Sequence, residues 1–137
     1  MNPKELGVLG EKVAIEYLKK RGYKILDKNY SPKFVSGPQR GEIDIIAKKE
    51  NVISFIEVKT LRLAQGKPLV NGGLSSAISP EEKVDYWKQR KILKMAESWL
   101  IEKKVLLDSP WQIDVVSIKI DSDSKKAKIQ YFQNAIS

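Results

Sequence analysis

The chain has neither cysteine nor histidine among its 137 residues. That excludes Ser-His-Asp and Cys-His catalysis, thiolate or imidazole zinc sites, and any disulfide framework. A metal ion could be held only by oxygen, and hard oxygen ligands favour Mg²⁺ or Mn²⁺. No apolar run approaches the roughly 20 residues needed to cross a bilayer. The opening Met1-Asn2-Pro3-Lys4-Glu5-Leu6 lacks the apolar segment of a secretory signal. These absences predict a cytoplasmic protein with no membrane partner. A hydrophobic fraction of 42% beside 31% charged residues is that of an ordinary folded chain. The length predicts one domain over residues 1–137, with its core at about 4–120 and a closing strand and tail at 121–137.

Positive charge is plentiful: 25 Lys and Arg against 17 Asp and Glu, a formal charge of +8. Clustered cations gain affinity for phosphates by releasing condensed counterions, so nucleic acid is the expected partner. A merely solvated basic surface would carry the same charge.

Residues 4–21 have helical periodicity, with Leu6, Gly10, Val13, Ala14, Tyr17 and Leu18 on one stripe and Gly22 just past the end. Tyr23 to Tyr30 reads as a strand. Ser31 to Arg40 reads as a loop, and Glu42–Lys48 and Val52–Thr60 as two central strands turning at residues 49–52. Residues 61–79, rich in Gly, Pro and Ser, read as either a mobile functional loop or an ordinary surface loop. Ser79-Pro80-Glu81-Glu82 has the form of a helix start, with the helix running to about Lys104. Trp111–Ile120 and Ala127–Phe132 complete the pattern as strands, joined by a polar turn at residues 121–124.

Centring the first hairpin turn between Glu50 and Asn51 makes opposed residues sum to 101, so Asp44 faces Glu57 and Glu42 faces Lys59. Alternation then puts Glu42, Asp44, Glu57 and Lys59 on one face, and Ile43, Ile45, Ile56 and Val58 on the other. Opposed carboxylates repel, and burying them is unfavourable without a compensating cation. A divalent metal resolves the conflict; a hairpin with a wet charged face is the plainer reading.

Gly41-Glu42-Ile43-Asp44-Ile45-Ile46-Ala47 followed by Phe55-Ile56-Glu57-Val58-Lys59-Thr60 resembles the PD-(D/E)xK nuclease superfamily, and within it the YraN-like family. Gly10-Glu11-Lys12-Val13-Ala14, Lys88-Gln89-Arg90-Lys91-Ile92 and Ile113-Asp114-Val115-Val116 extend the similarity over about residues 5–120. Ile43 stands where the superfamily's name has proline. The resemblance implies an α/β, restriction-endonuclease-like αβββαβ core whose mixed sheet is flanked by helices, and the carboxylate cluster is expected at one edge of that sheet. It implies Asp44 and Glu57 as ligands of Mg²⁺ or Mn²⁺, Glu11 completing or orienting the metal shell, Lys59 assisting the attacking water or transition state, and Gln89 beside the site. Asp114 is read as structural. The implied activity is DNA phosphodiester hydrolysis, with branched repair or recombination intermediates as candidate substrates. The alternative is a non-catalytic nucleic-acid-binding scaffold. Homodimerisation would suit cutting two strands, although no heptad marks an interface.

Arg62, Lys67, Lys88, Arg90 and Lys91 flank this constellation in the expected fold and are the candidate nucleic-acid contacts. Neutralising them together is expected to weaken DNA binding and flatten its salt dependence in titrations at several ionic strengths. Unchanged affinity and slope would move the footprint elsewhere.

Overall fold

A computed structural model describes residues 2–33, 41–64, 67–70, 73–74, 86–106, 108–121, 123–124 and 126–136. Helix α1 (Pro3–Lys20) begins with Asn2, whose side chain accepts the Glu5 amide at 2.8 Å, and proline fills the first helical position, where no amide is needed. Gly22, at φ 88°, carries the chain past the helix end into β1 (Lys24–Tyr30). Strands β2 (Ile43–Lys49) and β3 (Val52–Ala64) form the expected hairpin, with Ile45 opposite Ile56 and Lys49 opposite Val52. Glu50 takes the turn with φ 56°.

β1 pairs with β2, and β3 pairs in parallel with β6 (Trp111–Asp121), which pairs with β7 (Ala127–Ile136). The core sheet is therefore mixed, in the order β1-β2-β3-β6-β7. Helix α2 (Tyr86–Glu102) supplies the crossover between the parallel strands. The α/β class and the two flanking helices are as the sequence predicts. No helix among the described residues is long and apolar enough to cross a membrane.

Two features differ from the sequence reading, and a third lies outside the described residues. β3 runs on to Ala64, and β4 (Lys67–Val70) and β5 (Gly73–Leu74) pair beyond it, so parts of the expected 61–79 loop are strand. The β3 extension has a partner that local composition hides, because Leu61 to Leu63 lie against Lys119 to Asp121 of β6. The capping pattern Ser79-Pro80-Glu81-Glu82 lies outside the described residues. Finally, β2 and β3 are interior strands, so the acidic constellation stands at the end of their ladder and not at an edge of the sheet.

Two apolar layers sandwich the sheet. On the α2 face, Ile92, Met95, Ala96, Trp99 and Leu100 pack on Tyr30, Ile43, Ile46, Phe55 and Ile113. Phe55 meets Trp99 and Trp111 edge-on, with centroids 5.7 and 5.6 Å away. On the α1 face, Ala14 and Leu18 pack on Ile45, Ala47, Ile56, Val116 and Ile118.

α1 also approaches β3 closely at Gly10. A Cβ there would overlap Thr60 Oγ1 and lie 2.9 Å from Thr60 Cβ. Gly10→Ala is therefore expected to destabilise the fold by about 1–3 kcal/mol in denaturant unfolding despite alanine's better helix propensity. Adding Thr60→Ala should recover part of that loss. A Gly10→Ala protein as stable as wild type would show the approach to be slack.

Candidate functional site

The β2–β3 ladder ends at Ile45 and Ile56, while β3 continues against β6 as far as Leu63. The two interior strands thus fork, and Asp44 and Glu57, the next residues, stand at the opening. Regular alternation also breaks here. Ile45 packs on the α1 face, but Ile43 packs on the α2 face. The expectation that both share one face is therefore corrected.

The neighbouring strand has a matching irregularity at Asn29. Its φ is 48°, between the pairs Lys28–Ile45 and Tyr30–Ile43. Asparagine is among the few residues that enter the left-handed region readily, which makes a kink affordable inside a strand. Across the resulting gap, Asp44 Oδ2 accepts the Val58 amide at 2.8 Å. A side-chain carboxylate thereby takes the role that a β2 carbonyl has in the closed part of the ladder.

Around Asp44 the charges crowd. Glu11 of α1, Glu42 and Asp44 each offer a carboxylate oxygen within 4.8 Å of the others. Oxygens sharing one Mg²⁺ at about 2.1 Å would be about 3.0 Å apart when adjacent and about 4.2 Å when opposite, so small side-chain movements suffice. Asn29 Nδ2 donates to Glu11 Oε1 at 3.0 Å and to Glu42 Oε1 at 3.4 Å, bridging two of the three. Upstream, Ser31 Oγ donates to the Gly41 carbonyl, fixing the chain just before Glu42.

Glu57 lines the same cleft as Asp44 and Glu11, which has a volume of about 320 Å³. Lys59 Nζ lies 3.2 Å from Glu57 Oε1, with the two side chains 21% and 11% exposed. At that burial the pair is less screened than a surface ion pair. Burial, then the Glu57 charge, and more weakly those of Glu11 and Glu42, push the Asp44 carboxyl up to about 7 against the pull of the Val58 amide.

Asp44, Glu57 and Glu11 therefore meet at one cleft, with Lys59 paired to Glu57. Two further members went unassigned in the sequence. Glu42 was visible as a neighbour of Lys59 but had no ligand role. Asn29 sits in a run that reads as plain strand; its only signal is an Asn inside that strand.

Gln89 is half-buried on the first half of α2. Lys91 reaches back to the site's flank, since a Cβ on Gly41 would lie 2.7 Å from Lys91 Cε and 3.2 Å from its Nζ. Arg90 is exposed, and Arg62 is half-buried on β3 opposite Ile120. The side chains of Lys67 and Lys88 lie outside the described residues. Asp114 stands apart: fully buried, it accepts from Gln112 Nε2 at 2.9 Å, from the Asn134 amide at 2.8 Å and from the Tyr131 hydroxyl. Those contacts tie β6 to β7, as a structural carboxylate would. Asp123 and Ser124 are exposed turn residues, and Asp121 at the end of β6 accepts the Asp123 amide.

The raised Asp44 carboxyl carries a sign. From about pH 4 to about 7 the folded protein keeps a proton that the unfolded chain has released, so stability falls as pH climbs through 7. Asp44→Asn keeps an acceptor for Val58 and removes the charge. Without metal, it is expected to exceed wild type at pH 8 by on the order of 2 kcal/mol and to match it at pH 4, read by thermal unfolding. A variant less stable than wild type at pH 8 would contradict the crowding.

Comparison with known proteins matches the sequence to one family. The model of UPF0102, described as an uncharacterised protein family, matches residues 10–118. A UPF0102 protein of Caldanaerobacter subterraneus subsp. tengcongensis is 37% identical over 136 residues, covering 98% of this chain and 97% of its own length. Those of Dictyoglomus thermophilum and Geotalea uraniireducens are 38% and 39% identical, covering 98% and 96% of this chain and 99% and 89% of their own lengths. The matched region holds Glu11, Asn29, Glu42, Asp44, Glu57 and Lys59, and the chain belongs to the UPF0102, YraN-like family.

Proposed function

We propose that this protein is a Mg²⁺- or Mn²⁺-dependent phosphodiesterase of the PD-(D/E)xK nuclease type, acting on DNA, with branched repair or recombination intermediates as its candidate substrates. The observation that carries the reading is Asp44. It is a half-buried carboxylate crowded by Glu57, Glu11 and Glu42, and its proton is held up to about 7. Such crowding is unfavourable in isolation and becomes favourable when a divalent cation replaces the proton.

The donor set fits that cation. It is all oxygen, it is clustered within 4.8 Å, and the chain lacks the sulfur and imidazole ligands that would favour zinc. Asp44 would be the central ligand, with Glu11 and Glu57 or Glu42 completing the protein's share. When bound, the ion supplies Lewis-acid polarisation of a phosphoryl oxygen and lowers the pKa of a water nearby.

The chain's own residues do the rest. The Val58 amide holds the Asp44 carboxylate in one orientation. Asn29 holds Glu11 and Glu42 together beside Asp44. Lys59 balances Glu57 and presents a cation where negative charge grows on the phosphoryl group. The net positive charge offsets repulsion between the carboxylates and an incoming polyanion.

Asp44→Asn and Lys59→Met separate the two roles. Loss of the Asp44 charge is expected to weaken Mn²⁺ affinity and abolish cleavage together. Lys59→Met should leave Mn²⁺ affinity unchanged or higher while single-turnover cleavage falls roughly 10²-fold or more. Calorimetric Mn²⁺ titration and cleavage of single-stranded, duplex, flapped and four-way DNA measure both. Folded variants that bind Mn²⁺ and cut like wild type would refute the assignment. A wild type that binds DNA yet cuts none of these would point to the scaffold role.

A further inference from the structure

Gly7 and Gly10 lie one turn apart on α1, but packing accounts for only one of them. At Gly10 a side chain would collide with Thr60, whereas at Gly7 a Cβ would meet nothing within 4 Å among the described residues. Gly7 is helical and is not among the glycines with positive φ, so its backbone does not require glycine either. Glycine is a poor helix former, and alanine would serve the fold better. Something other than folding favours a bare backbone here.

Gly7 lies one turn before Glu11, so its missing side chain would stand on the same helix stripe as that carboxylate. The stripe forms one wall of the cleft. Pro3, Leu6 and Gly7 give it an apolar ledge, and the same cleft is lined by Glu11, Asp44 and Glu57. A carboxylate set by itself calls for a cation. A ledge of proline, leucine and bare glycine backbone calls for a flat, largely apolar group. A ligand that satisfies both has a flat ring next to an anion that reaches the carboxylates through a cation. A nucleotide has that chemistry.

We propose that Pro3, Leu6 and Gly7 form a nucleoside subsite, in which a base and its sugar lie on the bare α1 backbone while the attached phosphate faces Glu11, Asp44 and Glu57. This rests on the phosphodiesterase reading of the carboxylates and extends it to the substrate's form. The volume of about 320 Å³ is at the low end for ligand pockets and takes one nucleotide, not a base pair. The nucleotide taken is therefore unstacked and unpaired, as in a single strand, a flap or a branch point.

The test uses the full chain, Mn²⁺, thymidine 5′-monophosphate and deoxyribose 5-phosphate, with Gly7→Met as the variant. Methionine is a good helix former and projects into the ledge. Calorimetry on the wild type with Mn²⁺ should give the nucleotide at least roughly tenfold tighter binding than the sugar phosphate. In Gly7→Met that preference should vanish, while Mn²⁺ affinity is kept and the unfolding temperature is equal or higher. Gly7→Ala should give an intermediate loss with a higher unfolding temperature, so lost binding cannot be ascribed to misfolding. Equal binding of the two probes by wild type, or unchanged nucleotide preference in Gly7→Met, overturns the subsite. If Mn²⁺ itself does not bind wild type, the phosphodiesterase reading fails and the subsite with it; if Mn²⁺ binds but the nucleotide shows no preference, the subsite alone fails.

Discussion

The hydrogen bond from the Val58 amide to Asp44 holds a carboxylate inside a fork between two interior strands, where Glu57, Glu11 and Glu42 crowd it. Without the fork, the Val58 amide would bond to main chain and Asp44 would project from an ordinary hairpin. With it, the carboxylate serves two ends. It satisfies a partly buried amide that would otherwise lack this partner, and it accumulates repulsion that a bound cation would relieve. Local stability is given up in the metal-free protein and would be regained on binding the cation proposed for this site, which is how charged sites commonly trade folding against function.

The rest of the fold keeps that cluster in register. α1 brings Glu11 to the fork only because Gly10 lets the helix lie directly on Thr60 of β3. α2 covers the opposite face, fixed by Trp99 against Phe55 and by hydrogen bonds from Trp99 to Asp27 and from Tyr30 to Glu102. Those bonds join α2 to β1, the strand that holds Asn29. On the far side of β6 the buried Asp114 ties the last strand in place through Tyr131 and Asn134. The carboxylates at the fork are exposed to a cleft, whereas Asp114 is fully enclosed and saturated with donors. The contrast shows how one residue type serves as strut or as ligand candidate according to whether its lone pairs are already occupied.

Much of this was legible in the order of residues. The turn at residues 49–52 fixed the hairpin register, and the apolar stripe of α1 named Gly10, Ala14 and Leu18 as its buried face. Asp44, Glu57 and Lys59 were visible because charged residues at strand spacing are unexpected in the middle of an apolar hairpin. What stayed hidden depends on contacts distant in sequence. The extension of β3 becomes stable only through β6, nearly sixty residues later by the pairing of Leu61 with Lys119. The face change between Ile43 and Ile45 needs the kink at Asn29, and strict alternation has no place for a left-handed residue inside a strand. Asn29 and Glu42 gain their roles from that same kink, so a reading built on regular pleats passes over both.

The proposed chemistry at this cleft rests on the all-oxygen donor set and the net positive charge of the chain. Its core is the strain on one side chain, and carbon-13 NMR can read that directly by following the Asp44 side-chain carboxyl through a pH titration, first without divalent metal and then with saturating Mg²⁺. The metal-free midpoint is expected near 7, moving down toward the ordinary carboxylate range when Mg²⁺ is present. A metal-free midpoint near 4, unmoved by Mg²⁺, would contradict the carboxylate crowding on which the proposed site is built.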